Sequence, residues 1–302
     1  MTREIVVISG KGGTGKTSIV GSLAYLFKNS IIVDCDVDAA DLHLILKGDT
    51  GTANNFIGGK KAEIIPEVCN ECGLCTEYCR FGAITEQDKT SKNNLIQYAI
   101  DEYACEGCGV CSLFCPVQAI KMKDNISGEW FLTETKYGPL LHARLGIAQA
   151  NSGKLVSLLR KKAQELAADN NKQIIIDGPP GIGCPVIASL TGTNYALIIT
   201  EPTLSAIHDM ERLLELTRHF GIKTGICVNK YDINKNLAAS IEHIAAGKGL
   251  KVLARIPYDS TFTQAQIKGM PYMEYTRNGI SKHIEQLWQN LKEEIAVLKN
   301  IT

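Results

Sequence analysis

The chain has 302 residues, with 32 basic and 32 acidic side chains and a formal net charge of zero. That length suits one large or two moderate domains, and the charge balance argues against broad electrostatic binding to nucleic acid. No apolar run approaches the roughly 20 residues of a membrane span and residues 5–8 are too short for a signal peptide, so a cytoplasmic chain without nucleic-acid or stable membrane partners is expected.

The first element read from the N-terminus is a buried strand, Ile5-Val-Val-Ile8. It runs into Gly10-Lys11-Gly12-Gly13-Thr14-Gly15-Lys16-Thr17, and Ser18 continues into a helix. A glycine loop between strand and helix aims backbone N–H groups and the positive helix end at phosphates. In such a loop Lys16 contacts the β- and γ-phosphates and the Thr17 hydroxyl ligates Mg2+. The expected ligand is ATP or ADP with Mg2+, cradled by Gly12, Gly13, Thr14, Gly15, Lys16, Thr17 and Ser18. Lys11 is an additional cation, which is either a solvated loop charge or a functional one.

A second strand at residues 31–33 leads into Asp34-Cys-Asp-Val-Asp38. Residues 51–59, rich in small side chains, read as an entry linker. Two copies of one cysteine phrase follow at a period of 36 residues: Cys69, Cys72, Cys75, Cys79 and Cys105, Cys108, Cys111, Cys115. Each is C-x2-C-x2-C-x3-C, a spacing that wraps a [4Fe-4S] cluster. The repeat extends beyond cysteine, pairing Gly73 with Gly109, Leu74 with Val110, Tyr78 with Phe114, Ala83 with Ala119 and Ile84 with Ile120. Disulfides fit poorly: the total of eleven cysteines is odd, and eight of them fall in the two tetrads. Zinc also binds C-x2-C pairs, but it gives no reason for the third cysteine of each phrase. Residues 125–128 read as an exit turn.

Beyond the repeat, strands at 174–176, 196–199, 225–228 and 252–256 alternate with helices such as 154–168 and 206–220, and a last helix spans about 280–298. This alternation predicts an α/β fold with a doubly wound, mostly parallel sheet. The expected organisation is a P-loop domain at 1–59 plus 125–302, with an inserted domain at 60–124. Cys35 and Cys227 read as small buried hydrophobes, and His142 and His208 as structural. Cys184 follows Gly-Pro-Pro-Gly-Ile-Gly and is either an ordinary surface residue or a ligand for a transferred metal or cluster.

The motif Lys11-Gly-Gly-Thr-Gly-Lys-Thr17 resembles the deviant phosphate loop of the MinD/ParA/Mrp superfamily, which includes the nitrogenase iron protein and CooC-like metal-insertion ATPases. Asp34-Cys-Asp36 is similar to that family's first switch, and Ile174-Ile-Ile-Asp-Gly-Pro-Pro-Gly181 to its Walker B strand and second switch. The resemblance covers nearly the whole chain. It implies a dimer formed on ATP binding, with Lys11 reaching the partner's nucleotide. It further implies that Asp36 positions or activates the attacking water, that Asp34 belongs to the Mg2+ environment, and that Asp177 binds Mg2+ through water. Asn229 and Pro257 fall where the family holds adenine. A membrane anchor like MinD's is not evident in the last helix, whose apolar face and mixed charge suit packing on the sheet.

Residues 60–124 resemble the two-cluster bacterial ferredoxin module, an α+β ferredoxin-like domain. In that module the fourth cysteine of each phrase serves the other cluster. The resemblance thus implies Cys69, Cys72, Cys75 and Cys115 for a first [4Fe-4S] cluster, and Cys105, Cys108, Cys111 and Cys79 for a second. Pro116 follows the second phrase as in the family, whereas Arg80 replaces proline after the first. Three functions fit. One is a Mg-dependent ATPase whose nucleotide-driven dimer switch gates electron transfer to a redox partner. Another is a cluster or metallocofactor assembly ATPase with a cluster-accepting partner. The third is a ferredoxin fused to a non-hydrolysing nucleotide-binding scaffold.

Overall fold

The computed structural model describes residues 3–28, 30–87, 97–147, 149–168 and 172–297. The first elements are β1 (Glu4–Ser9), α1 (Lys16–Phe27), β2 (Ile31–Asp34), α2 (Leu42–Ile45) and β3 (Gly48–Thr50). Then come β4 (Asn54–Ile64), α3 (Leu74–Tyr78), β5 (Ile84–Gln87), β6 (Gln97–Ile100), α4 (Val110–Leu113) and β7 (Ile120–Thr135). The next are β8 (Gly138–Leu145), α5 (Ser152–Ala168), β9 (Ile174–Pro180), α6 (Cys184–Leu190), β10 (Tyr195–Thr200), α7 (Leu204–His219) and β11 (Lys223–Asn229). The last are α8 (Lys235–Gly247), β12 (Lys251–Ile256), α9 (Thr261–Lys268), α10 (Tyr272–Tyr275) and α11 (Ser281–Val297). The final residue of the last expected helix, Leu298, lies outside the described residues.

The chain divides into two compact units. The larger, residues 1–54, 130–144 and 152–302, is built on a sheet of order β12-β11-β10-β1-β9-β2-β8-β7-β3. The six contacts from β12 to β8 are all parallel, and β3 closes the edge antiparallel to β7. This is the α/β, mostly parallel fold expected. β1, β10 and most of β11 are buried along their length, as continuous apolar runs require when helices cover both faces. Helix starts are set locally: Thr203 accepts from Ala206 N at 3.2 Å at the head of α7, and Asn234 from Leu237 N at 3.1 Å at the head of α8. Beneath the sheet, the Arg160 guanidinium donates to Glu4 Oε2, Ala188 O and Thr191 O at 3.0, 2.8 and 2.6 Å, so the buried charge is paired and hydrogen-bonded.

The smaller unit comprises residues 55–129 and 145–151, wider than the 60–124 read from the sequence. The exit turn expected at 125–128 is a strand: β7 runs without interruption from 120 to 135. Asp124, Asn125 and Gly128 are turn formers, but ladder pairing with β4 and the burial of Ser127 against Gly58 override local preference. The entry linker is correspondingly short, because β4 already begins at Asn54.

Inside this unit the 36-residue repeat is also a repeat of backbone conformation. Left-handed residues recur in register as Glu71 and Gly107, Gly73 and Gly109, and Gly82 and Gln118, with φ between 53° and 79°. Hydrogen bonds cross between the halves reciprocally: Ile65 N donates to Ala119 O at 2.7 Å, and Asp101 N, its counterpart 36 residues on, donates to Ala83 O at 2.8 Å. Tyr78 and Phe114, equivalent in the repeat, stack with centroids 4.4 Å apart.

Candidate functional site

The phosphate loop leaves β1 and enters α1 at the carboxyl edge of the parallel sheet, where doubly wound folds bind ligands. Two positions in the loop demand glycine. Gly13 and Gly15 have φ of 78° and 86°, and a Cβ on Gly15 would stand 2.5 Å from Asn229 Nδ2. The loop borders a cleft with about 1680 Å³ of empty space, into which Lys16, Thr17, Asp36, Asn229 and Pro257 face.

On the floor of the cleft Lys16 pairs with Asp177 Oδ1. Both are buried. Burial alone would depress the lysine, but Asp177, then Asp34 and Asp36, hold its pKa above the ordinary value. Asp34 spends both oxygens on the backbone that follows β2: Oδ1 accepts from Asp36 N at 3.1 Å and Oδ2 from Leu42 N at 3.0 Å. Its burial and the neighbouring Asp177 push its carboxyl upward. Asp36 is half-buried, and burial, followed by Asp177, Asp38 and Asp41, raises it to about 6 against the pull of Lys16.

Among the described residues, seven buried side-chain polar atoms have no hydrogen-bond partner, and three belong to this floor: Thr14 Oγ1, Asp177 Oδ2 and Asn229 Oδ1. Buried orphans are costly unless something satisfies them, so this cluster is what a polar ligand with a hydrated cation needs. Asn229 also braces the loop, donating to Thr14 O at 2.7 Å, and Ser18 Oγ accepts from Gln266 Nε2 at 2.8 Å.

Lys11 lies differently from a free loop charge. Its ammonium meets Glu201 Oε1 at 2.8 Å, Thr203 Oγ1 at 3.1 Å and Ser205 Oγ at 3.2 Å. Glu201 also pairs with Lys230 at 2.9 Å, and Lys230 donates to Gly13 O at 2.9 Å. Burial works against the Glu201 carboxylate, but the bonds from Lys11 and Lys230 hold its pKa below the ordinary value. Sequence reasoning missed Glu201 and gave Lys230 no role. Position alone could have flagged Lys230, directly after Asn229, whereas Glu201 carries no motif.

In the smaller unit the cysteines sort into two near-equal cavities, with about 350 and 320 Å³ of empty space. One is lined by Cys105, Cys108, Cys111 and Cys79, the other by Cys69, Cys72, Cys75 and Cys115. All eight are free thiols. The remaining walls are mostly apolar or aromatic, including Ile84, Ile100 and Phe81 in the first case and Ile64, Leu74 and Tyr98 in the second, with Glu106 and Asn70 as polar members. Among the described residues, no group of three or more His, Cys, Asp or Glu side chains is placed to hold a metal ion; the cysteines line cavities rather than converge on a point.

Of the other residues singled out, Cys35 and Cys227 are buried and Cys184 is exposed. His142 packs between His43 and Phe131, at 5.0 and 5.1 Å, whereas His208 is exposed beside Asp209 at 3.6 Å, so packing does not account for it. Among the described residues no helix is long and apolar enough to cross a membrane.

A family model described as the CobQ/CobB/MinD/ParA nucleotide binding domain matches residues 5–272. An uncharacterized protein of Methanocaldococcus jannaschii is 34% identical over 296 residues, 97% of each chain. The septum site-determining protein MinD of Thermotoga maritima is 24% identical over 312 residues, covering 99% of this chain and 92% of its own. Among solved structures, MinD of Pyrococcus horikoshii complexed with Mg-ADP superposes with a TM-score of 0.60 at 17% identity, covering 98% of both chains. A chain of the MinC:MinD cell division protein complex of Aquifex aeolicus gives 0.57 at 19% identity, covering 97% of this chain and 96% of that one.

Proposed function

This chain belongs to the CobQ/CobB/MinD/ParA nucleotide-binding family, and on that premise we propose that it is an ATP-hydrolysing iron–sulfur protein whose nucleotide state gates electron passage to a redox partner. The observation that carries the proposal is the sorting of eight cysteines into two cavities in crossed fashion, three from one phrase and the fourth from the other. Crossing of this kind is the ligation pattern of two-cluster ferredoxin modules. Apolar side chains border much of each cavity, while Cys72 and Cys108 face solvent.

Cys69, Cys72, Cys75 and Cys115 would hold one [4Fe-4S] cluster, and Cys105, Cys108, Cys111 and Cys79 the other. Bound clusters supply one-electron exchange; the chain's contribution is to fix the thiolates and exclude water.

In the nucleotide unit, the orphaned atoms of Thr14, Asp177 and Asn229 fit MgATP. With MgATP bound, Lys16 would turn from Asp177 to phosphate oxygens, and Asp177 and Thr17 would hold Mg2+. Asp36, raised to about 6, orients the attacking water and accepts its proton. Asn229, already bonded to the loop, offers Oδ1 to the base, and Pro257 walls the same cleft. Lys11 leaves Glu201 when a second copy brings its own nucleotide to the face, which makes the dimer dependent on ATP.

A carrier role, in which clusters leave for an acceptor protein, draws on the exposure of Cys72, Cys108 and Cys184. Two measurements decide among these readings. Anaerobic reconstitution should give two four-iron clusters per chain by iron analysis, with reduced-state EPR signals of interacting clusters. ATP turnover should fall by about a hundredfold or more in Lys16→Ala. Zinc in place of iron, or no incorporation, would overturn the iron–sulfur reading, and transfer of the clusters to an apo-protein acceptor would favour the carrier.

A further inference from the structure

The two halves of the cysteine repeat differ in charge, and the difference falls on one cavity. Lys61 donates its ammonium to the carbonyl of Cys105, a residue of the cavity formed by Cys105, Cys108, Cys111 and Cys79. Thirty-six residues on, the repeat places uncharged Gln97. Arg80 directly follows Cys79, which lines that same cavity, and its counterpart is Pro116 after Cys115. Of the two cations, Lys61 bonds to a residue of this cavity, and Arg80, exposed, adjoins another in sequence. Carboxylates do not cancel them. Residues 65–79 hold three acids, Glu67, Glu71 and Glu77, and their counterparts 101–115 also hold three, Asp101, Glu102 and Glu106, so the acids balance between the halves where the cations do not. Glu106 lies in the wall of the cation-bearing cavity but is exposed, so solvent and salt screen it. Lys61 is half-buried and bonded directly to a cysteine carbonyl, where screening is weaker.

The other cavity has a different polar neighbour. Tyr98 lines it, and its hydroxyl lies 3.1 Å from where a Cβ on Gly73 would stand. No lysine or arginine lines either cavity, so Lys61 acts on its site from behind the wall, through the Cys105 carbonyl.

Cluster potentials depend on net charge nearby, hydrogen bonds to the sulfurs and exposure to water. Adding one electron to a [4Fe-4S] core makes the site one unit more negative, and a fixed cation favours that state. We propose that Lys61, assisted by Arg80, makes the Cys105–Cys108–Cys111–Cys79 site the higher-potential of the two. An electron delivered by a low-potential one-electron donor then settles there, leaving the Cys69–Cys72–Cys75–Cys115 site oxidised until a second arrives. The donor loses the electron that the site gains, and no proton or bond change is required. The proposal rests on the iron–sulfur reading above and adds an order of filling.

The test is an EPR-monitored redox titration, with dithionite as reductant, of the anaerobically reconstituted full chain. In the parent protein two separate one-electron waves are expected. Lys61→Gln should lower the higher wave alone, by about tenfold in the reduction equilibrium, which is about 59 mV for one electron. Lys61→Arg, which keeps the charge, should restore it. Tyr98→Phe should move only the lower wave. If Lys61→Gln fails to take up iron, Arg80→Gln at an exposed position carries the same test, with a smaller shift in the same wave. Two coincident waves in the parent, a Lys61 effect on the lower wave, or equal movement of both would overturn the assignment. Absence of iron uptake by the parent chain would instead overturn the iron–sulfur reading on which it rests.

Discussion

In the nucleotide unit, side chains such as Ile5, Val7, Leu23, Leu197, Ile256 and Leu287 bury completely or nearly so in one continuous core. In the cysteine unit the corresponding cluster consists of Ala62, Ala83, Cys105 and Ile120, with Cys75, Cys79, Cys111 and Cys115 among the half-buried residues packed on it. The first unit has apolar area enough to fold by the hydrophobic effect. The second presents thiols where a domain of its size would present leucine and isoleucine, and small domains with thin cores need metals or other staples. The difference teaches that in this unit the cysteines take places that core side chains fill in the other.

That contrast predicts a selective collapse, the largest effect expected here. Removing iron should unfold residues 55–129 while the parallel strands keep their protection, because metal binding and folding are one free energy in such units. Hydrogen exchange followed by mass spectrometry reads this directly, and equal protection of both units with and without iron would break the comparison. Next in size, Arg160→Ala leaves Glu4 buried without its cation. A loss of about 3–5 kcal/mol is expected, confined to the nucleotide unit, as denaturant melts should show with iron content unaltered. Lys16→Ala comes third: ATP turnover should fall by about a hundredfold or more, as when a preorganised electrostatic group is removed, again without loss of iron.

The smallest effect is on pH dependence. His142, with its Nε2 2.9 Å from Thr133 Oγ1, is buried against His43 and Phe131. Burial first, and His43 second, lower its pKa to about 4. The unfolded imidazole takes up a proton near pH 6.5, and the folded one does so only near 4. Stability of the nucleotide unit should therefore decline as pH falls through that window, and His142→Gln should flatten the decline in thermal melts.

How much of this was readable beforehand follows the same division. The phosphate loop, Asp34, Asp36 and Asp177 carry short motifs, and the strands at 5–8, 174–176 and 225–228 are apolar runs that only a buried parallel sheet explains. The two cysteine phrases were plain in the sequence, and their crossed grouping was implied by the resemblance to two-cluster ferredoxins. What escaped notice lacks a local signal. β7 carries Asp124, Asn125 and Gly128, and pairing with its neighbour strands, β4 among them, makes it a strand. Residues 138–145, which join the parallel sheet beside β2, are too short and mixed to announce themselves. Glu201 is one acid among 32 acidic residues until folding brings Lys11 and Lys230 to it. Charge asymmetry in the repeat was visible at Arg80, but Lys61 gained meaning only from its bond to Cys105.

The central claim is that one chain couples a nucleotide switch to two clusters. Its most direct test is a redox titration of the anaerobically reconstituted protein with MgATP, with MgADP and without nucleotide, with Lys16→Ala as control. A shift of at least one wave with MgATP, absent in Lys16→Ala, is the result expected. Waves that stay fixed in all three states, in a protein that binds both nucleotide and iron, would contradict it.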